Sequence, residues 1–155
     1  MYLSLNRSDE TDLPWLNEKV IDSIRRAGAT LEPHTVTVNL VVVDDPYIRG
    51  INRDFRNIDR PTDVISFSYL NDEEHAAQGG EDVAGEVYVS YQTIEKEAKR
   101  LGVGPGLVFV RVGVHGLLHI AGFDHESDED AALMEREEKS ILSGVLASAE
   151  LEALF

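Results

Sequence analysis

The sequence predicts an α+β fold: a single domain with an about four-stranded mixed sheet, several helices, and one central buried helix carrying metal ligands. Three observations lead there. Four short stretches that read as strands are interspersed with stretches of helical periodicity. The most apolar region, Leu107 to Phe123, reads as a helix with few charges, which belongs in the middle of a fold. The length, 155 residues, suits one domain, and such a domain buries roughly 68–70% of its unfolded surface. No internal repeat and no Pro/Ser-rich linker divides residues 1–155.

Tyr2 to Asn6 alternates apolar and polar residues and reads as a strand. A helix follows, with Asp12 as its cap and Pro14 in its first turn. Trp15, Leu16, Val20, Ile21 and Ile24 recur at helical spacing, and Gly28 ends it. Thr35 to Val43 is a second strand, whose end Val41-Val42-Val43 is continuous enough to be buried on both faces. Asp45-Pro46 starts a short helix to about Arg53 or Phe55. Asp63 to Phe67 is a third strand, and Asn71 to Asp82, with Gly79-Gly80, reads as a loop. Glu86 to Val89 is a fourth strand. Ser90 caps a helix from about Tyr91 to Leu101, which Gly102 stops. Pro105 to Ala121 is the central helix. Ser127 and Asp130 resemble a capping box for a last helix to about Leu146.

Composition removes several chemistries. There is no cysteine, so disulfides, thiolate metal sites and a cysteine nucleophile are excluded. The N-terminus has no basic segment followed by an apolar core, and Leu107 to Phe123 carries Arg111, His115 and His119. No membrane span and a cytoplasmic location are therefore expected. The net charge of −15 argues against a nucleic-acid binder with a basic surface throughout, but leaves room for a local basic groove.

Three of the five histidines fall within Val114-His115-Gly116-Leu117-Leu118-His119-Ile120-Ala121-Gly122-Phe123-Asp124-His125. His115 and His119 stand four residues apart and project from one helix face. Gly122 is placed to end the helix in a left-handed conformation, so that the chain turns back and brings His125 beside them. Three neutral imidazoles leave a fourth position open, the arrangement of a catalytic zinc. His34 and His75 fall outside this cluster and read as exposed. The spacing matches the metzincin pattern H-E-x-x-H-x-x-G-x-x-H, but Gly116 stands where that motif has its general-base Glu. Peptide hydrolysis is disfavoured, while metal binding is kept.

The same block, H-G-x-L-H-L-x-G-[YF]-D-H in general form, resembles the signature of the YbeY family, the bacterial rRNA maturation endoribonucleases. Asn52-Arg53-Asp54-Phe55-Arg56 followed by Pro61-Thr62-Asp63-Val64-Ile65-Ser66-Phe67 is similar to that family's N-x-x-[YF]-R and P-T-D-V-L-S-F. Gly85-Glu86-Val87-Tyr88-Val89-Ser90 is a third, less specific likeness. The resemblance implies a zinc-dependent, single-strand-specific endoribonuclease acting in 16S rRNA 3′-end maturation and ribosome quality control. It implies one zinc ion per chain, held by His115, His119 and His125, and a functional Arg56. It also implies an rRNA precursor as substrate, with the small ribosomal subunit, its proteins and an Era-type GTPase as partners.

Other residues carry two readings each. Arg56 is a bidentate clamp on a phosphate or a surface ion pair with Asp59 or Asp63. Arg111, four residues before His115, contacts the phosphate or makes a buried ion pair. Asp124 orients a ligand imidazole or fixes the turn. Arg53, Arg60 and Ser66 are candidate substrate contacts. Strand alternation sets Val64 and Ser66 on one face, Asp63, Ile65 and Phe67 on the other. The nucleophile is left open between a metal-activated water and the RNA 2′-OH. Competing functions are a zinc hydrolase acting on peptides or amides, and a non-catalytic ribosome-assembly factor.

Asp124 to Phe155 holds ten acids and two bases, and Asn71 to Asp82 holds five acids and no base. Arg49, Arg53, Arg56 and Arg60 oppose only Asp54 and Asp59 across their segment. RNA contact is therefore expected at that arginine segment and the metal, away from the acidic tail.

Overall fold

The computed structural model describes residues 1–70 and 83–155. The loop expected at Asn71 to Asp82, with His75, lies outside the described residues. Four strands, β1 (Tyr2–Arg7), β2 (Thr37–Val43), β3 (Val64–Ser68) and β4 (Val83–Ser90), form one sheet in the order β1-β2-β4-β3. β1, β2 and β4 are parallel, and β3 joins β4 antiparallel. Parallel neighbours need a crossover, and α1 (Glu18–Ala29) supplies the one between β1 and β2. The fold is α+β with a mixed four-stranded sheet, as expected.

Alternation along the strands sorts the apolar residues onto two faces. Val38, Leu40 and Val42 of β2 join Val87 and Val89 of β4 in the large core, which α1 and the C-terminal helices cover. Val43, Ile48 and Ile65 make a smaller cluster on the opposite face, under α2 (Asp45–Arg56). The remaining helices are α3 (Tyr91–Leu101), α4 (Pro105–Ile120), α5 (Asp128–Ser143) and α6 (Ser148–Leu154). α4 is the central one. It lies on β3 and β4 and touches α1, α3, α5 and α6.

Some boundaries differ from the sequence reading. α1 begins at Glu18, and its cap is Asn17, whose side chain accepts from the Val20 amide at 3.1 Å. Trp15 and Leu16 precede it, with Trp15 packed on Phe109 at 5.6 Å between ring centroids. The helical spacing of these two apolar residues therefore came from a turn that shares the same core face. Gly28 is inside α1 rather than after it, buried where a side chain would meet the Met1 carbonyl oxygen at 3.2 Å. The last predicted helix ends slightly earlier than expected, and a further helix follows it. α5 stops at Ser143, and the seven-residue α6, anchored by buried Leu154, was not foreseen.

Candidate metal centre

Helix α4 reaches the sheet because Gly116 has no side chain. A Cβ there would stand 2.6 Å from Val87 Cγ1, 3.1 Å from Ser66 Oγ and 3.2 Å from Val64 Cγ2. The Ser66 and Ser68 hydroxyls donate to the Gly116 and Ile120 carbonyls, both at 3.2 Å, and fix β3 along the helix. His115 and His119 each stand one residue before one of these ties. The helix ends at Ile120, and Gly122 turns the chain just beyond it with a φ of 104°, open to glycine at little cost. The Phe123 amide closes the turn onto the Leu118 carbonyl at 3.0 Å. His125 is thereby brought back over the helix end.

The three histidines each offer a nitrogen, and these lie within 4.8 Å of one another. His119 Nε2 is 3.2 Å from His115 Nε2. Two nitrogens bound tetrahedrally to zinc at ~2.0–2.1 Å would stand about 3.3 Å apart, so the donor set fits such an ion. Burial lowers the pKa of His119, and the neighbouring His115 and His125 lower it further, so the imidazole is neutral near pH 7 and its lone pair is available. The first two rings are half-buried and His125 is exposed, which leaves the fourth side open.

His115 has a partner the sequence reading missed. Glu138 of α5 accepts from its Nδ1 through Oε1, which leaves Nε2 to face the other histidines. Glu138 is nearly fully buried. A signal for it was present in the sequence: Met134, Glu138 and Leu142 repeat every four residues, and the flanking two are core anchors. An acid inside a helix's buried stripe requires a buried partner.

Asp124, the sequence candidate for that orienting role, sits in the turn. Its Oδ1 accepts from the His125 backbone amide at 2.7 Å, and the residue is exposed. Arg111 makes no direct ion pair among the described residues, although it adds to the Arg100 hydrogen bond in holding the pKa of nearby Glu97 down. Its guanidinium donates to the Leu154 carbonyl at the end of α6 and lies 4.0 Å above the Phe155 ring. It closes a cavity of about 520 Å³ behind the site, lined also by His115, His125 and Glu138.

The open side faces a cavity of about 710 Å³ lined by all three histidines, Phe55, Arg56, Ser66 and Asp124. Of the four clustered arginines only Arg56 lines it. Arg49 pairs with Asp59 at 2.9 Å and Arg53 with its neighbour Asp54 at 3.2 Å, both in solvent. Arg60 offers its carbonyl to Asn52 Nδ2 at 2.9 Å and stays outside. Arg53 and Arg60 therefore do not line the cavity that holds the histidines. Arg56 is exposed and has no ion-pair partner among the described residues. The two acids suggested for it are engaged elsewhere, Asp59 by Arg49 and Asp63 by the Val64 amide at 2.8 Å. Ser66 lines the cavity, but its hydroxyl is committed to Gly116.

The family model described as Endoribonuclease YbeY matches residues 5–145. The chain belongs to the YbeY family. Relatives carrying that name include one from Rhodospirillum rubrum, 40% identical over 118 residues, which are 75% of this chain and 59% of that protein. The matched part therefore spans less than two thirds of the Rhodospirillum protein. A Moorella thermoacetica relative is 32% identical over 154 residues, 94% of this chain and 97% of its own. The solution structure of TM1509 from Thermotoga maritima has a TM-score of 0.63 at 28% identity, covering 92% of this chain and 88% of that one. The shared YbeY fold accounts for the order of elements described above.

Proposed function

We propose that residues 1–155 act as one zinc-dependent endoribonuclease domain that cuts single-stranded RNA. The reading extends to 16S rRNA 3′-end maturation and ribosome quality control, in the cytoplasm. The partners would be the small subunit, its proteins and an Era-type GTPase. One observation carries the chemistry: three convergent imidazoles share a cavity with Arg56, a guanidinium with no ion-pair partner among the described residues. Family membership directs that chemistry to RNA.

His115, His119 and His125 would hold the zinc. The chemistry a bound zinc supplies is Lewis-acid polarisation, which stabilises charge on phosphoryl oxygens and acidifies water. Arg56, which lines the same cavity, binds and orients the phosphate with its planar fork. Glu138 holds His115 in one tautomer, and Asp124 fixes the turn that carries His125. The position that bears the base in metzincins is Gly116, pressed against Val87 and β3, with no space for a carboxylate. A metzincin-type peptidase mechanism would lack its general base here.

Metal analysis and a cleavage assay on highly purified protein test the reading. Wild type should carry about one zinc per chain and cut single-stranded RNA, while His119→Ala stays folded and does not. Equal cutting by both would assign the activity to a contaminant. Binding of pre-ribosomes without cutting, together with unfolding of His119→Ala, would make the zinc structural and the protein an assembly factor.

A further inference from the structure

Phe55 is 70% exposed, the most exposed large apolar side chain among the described residues. Isolated exposed apolar residues are common and require no explanation. Its place is what distinguishes it. The other exposed large apolar residues, such as Tyr2 and Leu133, do not line the histidine cavity, whereas Phe55 does, next to Arg56.

The ring is also held in place. Phe67 meets it edge-on, with centroids 5.2 Å apart and planes at 70°. Phe67 in turn meets Tyr88 at 6.0 Å and 82°, and Tyr88 stacks with Tyr47 at 6.2 Å and 23°. The row runs from the cavity rim into the smaller apolar cluster, to which Phe67 and Tyr88 belong. Phe55 is thus an aromatic surface in contact with Phe67, open to solvent, beside a cation and three convergent imidazoles.

Resting on the nuclease reading above, we propose that Phe55 is a stacking platform for one nucleobase of single-stranded RNA next to the scissile phosphate. With a phosphate held between Arg56 and the histidine cluster, the adjoining base falls at the cavity rim. Every base has a π-face, so stacking accepts any sequence. Bases in a duplex are already stacked on each other and would have to be splayed out to reach the ring. The same side chain therefore supplies a reason for preferring single strands.

The test measures binding of short 2′-O-methyl oligonucleotides to zinc-loaded protein by fluorescence anisotropy, with one abasic position moved along the strand. Wild type should lose roughly 5- to 150-fold in affinity when the abasic position meets the ring. Phe55→Ala should lose a similar factor on the intact strand and then be insensitive to that abasic position. Phe55→Trp should keep both the affinity and the sensitivity. The proposal is overturned if Phe55→Ala, shown folded by its thermal melt, binds the intact strand as wild type does. It is overturned equally if the abasic penalty persists in Phe55→Ala. Wild type that cuts RNA but shows no abasic penalty refutes stacking alone, whereas wild type that neither binds nor cuts RNA refutes the nuclease reading with it.

Discussion

Replacing Glu138 by alanine isolates what holds the metal centre in place. The carboxylate contacts His115 Nδ1, its side chain is 7% exposed, and the imidazole it orients is 30% exposed. Without it, His115 loses the acceptor that fixes both its tautomer and its ring angle. Loss of such a partner typically weakens metal binding 10–100-fold, about 1.4–2.7 kcal/mol. The burial of Glu138 places alanine toward the upper end. Glu138→Gln keeps an acceptor oxygen in the same shape and belongs at the lower end. Because zinc that binds only the native state stabilises it by mass action, the zinc-induced rise in melting temperature should shrink too. At roughly 2–4 °C per kcal/mol for a chain of this size, the reduction is about 3–11 °C. Competition against a chromophoric chelator gives the affinity, and paired melts with and without zinc give the shift. If Glu138→Ala matches wild type in both, the carboxylate does not orient the site and the reasoning fails.

Three further outcomes are expected. Gly116→Ala places a methyl 2.6 Å from Val87 Cγ1 and should cost about 1–3 kcal/mol by overpacking; an unchanged denaturation midpoint would contradict the close approach of α4 to the sheet. Arg56→Ala should leave the melt unchanged, since its side chain is exposed and unpaired among the described residues, yet reduce cleavage by roughly 10²-fold. Arg56→Lys should recover only part of that rate, because an ammonium cannot grip bidentately; full recovery would remove the fork from the argument. Asp45 is subject to burial, which acts to raise its pKa, but hydrogen bonds from Lys96, Ser90 and Thr93 outweigh it and hold the pKa below the ordinary range. A depressed carboxylate contributes stability above its unfolded value of about 3.9 and loses it as pH falls through the folded value. The stability gap between wild type and Asp45→Asn in urea should therefore narrow as pH is lowered from 7 to 3, and a gap that stays constant would refute the linkage.

The histidine triad was legible because its geometry is local. A four-residue helical spacing and a glycine turn bring His115, His119 and His125 together without reference to the rest of the chain. The strands were legible for the same reason. Their order was not, because pairing β2 with β4 and leaving β3 at the edge depends on contacts far apart in sequence. Glu138 lies 23 residues from His115 in an acid-rich helix, and only its position between Met134 and Leu142 sets it apart. Composition grouped Arg49, Arg53, Arg56 and Arg60 into one basic strip. The helix end separated them, since residues at successive positions face different directions and local acids took two of the four. Helical phase placed Arg111 near the histidines, but its contacts with the Leu154 carbonyl and the Phe155 ring depend on a C-terminal segment the sequence reading did not foresee.

The Asp45 network also sets a mechanical tolerance. It clamps the root of α2 to the junction of β4 and α3, while Phe55 and Arg56 ride at the opposite tip. Eleven residues of helix make an arm about 16 Å long. One degree of tilt at the root displaces the tip by about 0.3 Å, and functional groups must usually be held to within about 0.5 Å. If Arg56 acts as proposed, the arm has less than about two degrees of play before the guanidinium leaves its working position. Loosening a buried aspartate remote from the histidines would then degrade catalysis through leverage, with the metal ligands themselves undisturbed.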